Sequence, residues 1–150
     1  MSGGKHLCTI LTETKNLQDT FYDFMSSYFR TMLPGKMGED TIPFLLLTEG
    51  DSGSFFEGLG FIYSSRGHRV LGFKTVFFRI EDVNAQGCCL TVSFLLPLDI
   101  DGEIASCISE VYRLERTRCC LTLNIEKFCG IQFADPRLVN RKLPVVEPKW

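Results

Sequence analysis

The sequence has no run of about 18 uncharged apolar residues, so no helix is expected to cross a membrane. It also lacks a charge imbalance. Sixteen basic and eighteen acidic residues leave a net charge of −2. A balance so near zero makes nucleic acid or an anionic membrane a poor partner, and it supplies little repulsion against self-association. Histidine is scarce. Only His6 and His68 are available as bases, and neither lies in a pattern that activates a nucleophile, so no catalytic residue is expected. No two cysteines stand two to four residues apart, which removes a zinc ribbon and a Cys-x-x-Cys redox motif. Asp99-Ile-Asp-Gly102 lacks the later ligands and closing glutamate of a calcium loop, and Gly35-Lys-Met-Gly38 is too short to cradle a phosphate. No metal and no cofactor are therefore expected. Met1 to His6 carries no basic stretch followed by an apolar one, so no secretory signal is expected, and Ser2 excludes the usual myristoylation start.

What the chain does have is size, phenylalanine and cysteine. With 150 residues, 45% apolar and 23% charged, it reads as one globular domain able to bury a core. Thirteen phenylalanines offer large buried areas. Seven cysteines are many for a reducing compartment, and an odd number leaves at least one thiol over if all pairing is internal.

Residues 7–32 predict an amphipathic helix, with Leu7, Ile10, Leu11, Leu17, Phe21, Phe24, Tyr28 and Met32 recurring at three- and four-residue steps. Pro34-Gly35 ends it. Its stripe suits either its own domain or a second subunit, and Leu11, Leu17, Phe21, Phe24 and Tyr28 are the candidate assembly residues. Beyond Gly38 the pattern becomes β. Ile42 to Leu47, residues 54–63, Val70 to Val83, Cys88 to Leu98, Ile108 to Glu115 and Arg118 to Phe133 read as strands, separated by turn residues at 50–53, 64–67, 84–87 and 99–102. The expected fold is mainly β, an antiparallel β-sandwich preceded by the N-terminal helix.

Period two assigns faces. Val76, Phe78 and Ile80 share one, with Arg79 and Glu81 opposite. Cys88, Leu90, Val92, Phe94 and Leu96 share another, opposed by Cys89, Thr91 and Ser93. Cys119, Leu121, Leu123 and Ile125 are opposed by Cys120, Thr122 and Asn124. Each cysteine doublet thus places one thiol inward and one outward. Cys88 and Cys119 read as small buried residues, and Cys89 and Cys120 as disulfide partners within or between chains. A bulge at either doublet reverses this. Arg66, His68 and Arg69 sit together in one turn, read as a solvated loop or a site for an anionic partner. Leu143 to Trp150 carries two prolines and reads as a free end or a docking peptide.

Eight segments stand together in order: Asp40-Thr-Ile-Pro-Phe44, Thr75-Val-Phe-Phe-Arg-Ile-Glu81, Cys89-Leu-Thr-Val-Ser93, Leu96-Pro-Leu-Asp99, Val111-Tyr-Arg-Leu-Glu-Arg-Thr117, Cys120-Leu-Thr-Leu123, Phe128-Cys-Gly-Ile-Gln132 and Pro136-Arg-Leu-Val-Asn-Arg141. Through them the chain resembles the cysteine-rich spore coat proteins of the CotY/CotZ type, which include the exosporium protein ExsY. It departs from them in having no cysteine in residues 9–39, where the family usually carries a cluster. The resemblance implies a non-enzymatic structural protein made in the mother-cell cytoplasm and laid on the forespore. It implies self-assembly into the crust or exosporium base layer, with copies of itself and other coat proteins as partners and later disulfide cross-linking. Cys89, Cys120 and Cys129 fall where the family has cysteines, and with Cys8 they are the cross-link candidates. The expected organisation is an N-terminal arm and helix over 1–38, a β-sandwich coat-protein domain over 39–142 and an extended tail over 143–150. Two rivals remain, a monomeric adaptor that tethers another coat protein and a thiol-dependent cross-linking catalyst.

Overall fold

In a computed structural model the described residues are 2–28, 41–48, 54–64, 67–84, 86–139 and 141–142. Pro34-Gly35, Arg66 and the tail over 143–150 lie outside them. The chain is mainly β, with antiparallel sheets and one N-terminal helix, α1 (Ser2–Tyr28). The strands are β1 (Phe44–Thr48), β2 (Gly58–Ser64), β3 (Arg69–Thr75), β4 (Phe78–Asn84), β5 (Cys89–Leu98), β6 (Arg113–Asn124) and β7 (Phe128–Phe133). Five of them form one sheet in the order β6-β5-β4-β1-β7, and β2 and β3 form a separate hairpin.

Alternation along β5 explains why both faces of the large sheet are covered. Leu90, Val92, Phe94, Leu96 and Leu98 enter one core together with Phe44, Leu46, Phe78, Ile80, Ile125 and Phe128. The β2–β3 hairpin, through Ile62 and Phe73, and α1, through Leu7, Cys8 and Leu11, close over that face. Aromatic rings fill its middle. Phe78 meets Phe94 edge-on at 5.4 Å and stacks on Phe56 at 5.6 Å, geometries that add about 1 kcal/mol each beyond the buried area. On the opposite face Leu45, Phe77, Leu95, Leu114 and Val139 form a smaller core.

Three expectations are corrected. The run Val70 to Val83 is not one strand. It breaks at Val76-Phe77, because the Thr75 hydroxyl donates to Leu95 O (2.7 Å) and accepts from Phe77 N (3.1 Å), turning the chain without glycine or proline. Val76 therefore packs in the second core, away from Phe78 and Ile80. Conversely, β6 runs unbroken from Arg113 to Asn124, where two strands were expected, and the piece Ile108–Glu110 is a 3-10 turn. Finally, the face of Arg79 and Ser93 is not solvent-facing. Both are buried, Arg79 donating to Thr41 Oγ1 (2.9 Å) and Glu81 Oε1 (2.7 Å), and Ser93 Oγ donating to the same carboxylate oxygen (2.8 Å).

The helix settles on its own sheet. Leu7, Cys8, Leu11, Thr14 and Gln18 form the packed stripe. Gln18 is clamped at both ends of its amide, donating to Ile80 O (2.9 Å) and accepting from Ile42 N (3.1 Å). Over this stretch α1 packs into the core of the sheet.

Candidate functional site

The chemistry of this molecule is carried by its thiols and by the faces it leaves uncovered. Four cysteines are exposed, Cys89, Cys107, Cys120 and Cys129. Cys89 opens β5 opposite Asn124, and Cys120 lies on β6 opposite Ser93. Both point to the same side of the ladder, with Thr91 and Thr122 hydroxyls in contact between them (3.2 Å). Four residue steps along a strand separate the two pairs, about 13 Å. A disulfide needs Cα atoms within about 7 Å, so Cys89 and Cys120 of one chain do not pair with each other. Cys129 sits on β7, at the opposite edge of the sheet from Cys120, with its thiol near Leu47 O (3.6 Å) and Thr48 O (3.5 Å). Four strand spacings, about 19 Å, separate those edges.

Cys107 was not among the sequence candidates. It precedes the 3-10 turn Ile108–Glu110 in the long β5–β6 connection, its Sγ 3.1 Å from Ser109 Oγ. Its polar neighbours Ser106 and Ser109 are the signal that marks it as a loop residue. It lines a cavity of about 470 Å³ with Leu59, Phe77 and Ile108, between the hairpin and that loop.

The remaining thiols turn inward. Cys119 is half-buried and donates to Phe61 O (3.0 Å), joining β6 to the hairpin. A bulge precedes it, since Ser93 opposes Cys120 while Leu95 opposes Arg116, and the Thr117 hydroxyl stitches it by donating to Phe94 O (2.6 Å). Cys88 is half-buried in the turn before β5, with φ at 50°. Cys8, expected among the cross-link candidates, is only 6% exposed and lies in the main core in hydrogen-bond contact with Cys88. Burial, then the contact with Cys88, pushes the Cys8 thiol pKa up.

Of the candidate assembly helix, Leu11 is fully buried in its own domain and Leu17 is 60% exposed. Leu17 lies with Ile10, Ile42 and Phe133 along a shallow groove between α1 and β7. The side chains of Phe21, Phe24 and Tyr28 lie outside the described part. His68, with φ at 53°, takes up the Tyr63 hydroxyl at 2.6 Å, and no group of three or more metal-ligating side chains occurs among the described residues.

Among the described residues the hairpin carries an uncovered apolar face. Leu59, Phe61, Tyr63 and Val70 are 57%, 58%, 63% and 68% exposed and share its outer side, because β2 alternates and Tyr63 pairs with Val70. The inner side of β2 is Gly58, Gly60 and Ile62. A Cβ on Gly58 would stand 2.8 Å from Phe94 Cζ of β5, and one on Gly60 would stand 2.4 Å from Phe73 Cζ of its own partner strand, so glycine lets the hairpin approach the sheet this closely and leaves room for the Phe73 ring.

A family model described as spore coat protein Z matches residues 8–136. Spore coat protein Z of Bacillus subtilis (strain 168) is 40% identical over 74 residues, a match covering 46% of this chain and 49% of the relative. The match thus spans about half the length of that curated protein. No solved structure matches the chain.

Proposed function

Because the chain belongs to the spore coat protein Z family, we propose that it is a non-enzymatic structural subunit of a bacterial spore's outer layer, the crust or exosporium base layer. It assembles with copies of itself and with other coat proteins. The observation that carries this reading is the placement of four exposed thiols on separate edges and loops of one sheet, with Cys89 and Cys120 out of bonding reach of each other. Such thiols bond to other chains. The outer face of the hairpin supplies the non-covalent contact, since a patch of large apolar side chains is a hazard for a soluble monomer and a resource for an assembling one. Order follows from redox conditions. Synthesis in a reducing mother cell leaves packing to set the arrangement, and oxidation outside then fixes it through Cys89, Cys107, Cys120 and Cys129.

Electron microscopy of the purified protein with reductant, paired with detergent extraction after oxidation, tests this. Assemblies form in reductant. After oxidation those of Cys89→Ser/Cys120→Ser dissolve in hot detergent, whereas those of the parent persist. Equal resistance of variant and parent rejects the locking role of Cys89 and Cys120, and monomers under every condition favour an adaptor that tethers another coat protein.

A further inference from the structure

We infer that Cys8 and Cys88 are an intrachain disulfide pair, which staples helix α1 to the turn before β5 when the protein is oxidised. The two thiols come from elements far apart in sequence and are in hydrogen-bond contact at the edge of the main core. Both backbones are anchored. The Cys8 carbonyl accepts the Thr12 hydroxyl (2.8 Å) inside α1, and the Cys88 carbonyl accepts from Ile125 N (2.9 Å). Around Cys88 the turn is held by the Asn84 side chain, whose Oδ1 accepts from Gln86 N (3.1 Å) and Gly87 N (3.2 Å). Its φ of 50° is a conformation that a cysteine adopts only under constraint, and it directs the Cys88 side chain into the core while Cys89 points out. Closing the bridge draws two sulfurs already in contact to the roughly 2.05 Å of a disulfide.

The oxidant is a low-molecular-weight disulfide. Cys88, half-buried at the surface turn, is the point of entry. Its thiolate attacks one sulfur of the reagent, forming a mixed disulfide and expelling one small thiolate. The Cys8 thiolate then attacks Cys88 Sγ, forming the Cys8–Cys88 bond and expelling the second small thiolate. Two protein thiols lose two electrons and two protons, and one small disulfide becomes two small thiols. Burial holds the Cys8 thiol protonated, so the second step is slow near neutrality and accelerates as pH rises.

This pairing is internal to one chain and is read on dilute monomer, so it stands or falls apart from the assembly reading. Trypsin releases Cys8 in residues 6–15, and Cys88 in residues 80–113 together with Cys89 and Cys107. The experiment oxidises Cys89→Ser/Cys107→Ser protein with oxidised glutathione at low concentration, then digests it without reductant. The expected product is the 6–15 peptide joined to the 80–113 peptide in the monomer fraction. The melting midpoint rises by roughly 5–15 °C over the reduced protein, as closing a long loop implies. Unmodified protein gives a second reading, in which oxidation abolishes alkylation of the 6–15 peptide and reductant restores it. Persistent alkylation of Cys8, its linkage to any other cysteine, its appearance only in dimers, or an unchanged melting midpoint overturns the inference.

Discussion

Replacing Phe61 by lysine tests the hairpin face as a contact. Phe61 is 58% exposed, and its ring lies over Gly72, where a Cβ would stand 3.5 Å from Phe61 Cε1. A phenylalanine buries about 200 Å² when fully covered, so roughly 115 Å² is left for a partner, about 3 kcal/mol per copy at ~25 cal/mol per Å². That amounts to about two decades in dissociation constant for each such ring removed from an interface. The cost to the fold is smaller, because the aliphatic stem of lysine still packs across the strand on Gly72, about 0.5–1 kcal/mol. Sedimentation velocity in reductant, where no disulfide holds chains together, reads the first quantity, and urea unfolding reads the second. The expected result is a variant with nearly parental stability that sediments as a monomer where the parent associates. A folded Phe61→Lys protein that associates as the parent does refutes the role of this face, as does a parent that remains monomeric at tens of micromolar in reductant.

Gln18→Leu removes the partners of Ile80 O and Ile42 N, both met by a side chain only 1% exposed. The loss of two buried hydrogen bonds lowers unfolding free energy by about 2–5 kcal/mol, measured by urea denaturation. A drop below about 0.5 kcal/mol, the lower end for one hydrogen bond, means the clamp is not formed. Asp135 titrates at about 2, held down first by side-chain hydrogen bonds from Arg137 and also by the Arg137 backbone N–H. Its folded pKa lies below the unfolded one, so its contribution is complete above about pH 4 and fades as pH falls toward 2. NMR titration of the carboxyl shows that midpoint, and Arg137→Ala returns it toward the ordinary carboxylate range.

Much of the β architecture was legible because apolar and polar residues alternate along parts of β4, β5 and β6 and the turns carry glycine, asparagine and aspartate. The alternation of Leu90, Val92, Phe94 and Leu96 is a period-two signal that no helix imitates. The break at Val76 was invisible because a threonine hydroxyl makes it, and threonine is also a good strand former. In the helix stripe Leu7 and Leu11 pack inward as expected, and Leu17 does not, for a similar reason. Gln18 and Thr14 pack inward because their polar atoms find backbone partners, while the more apolar Leu17 faces out. Hydropathy ranks these residues in the reverse order. The outward direction of Cys89 and Cys120 was legible from period two. The contact of Cys8 with Cys88 was not, since it depends on how a helix crosses a turn distant in sequence.

Two of the exposed thiols lie on opposite edges of the sheet and two at other points of its surface. In the language of polymer chemistry this sets the functionality of the monomer. A unit with two reactive groups grows only into linear strands, which a single broken bond severs. A unit with more than two branches and closes rings, so stress at one bond is shared by parallel routes through its neighbours. Under the proposed cross-linking, the scatter of Cys89, Cys107, Cys120 and Cys129 over one small domain gives a gel rather than a bundle of fibres, tough in every direction of its plane and still porous between its nodes.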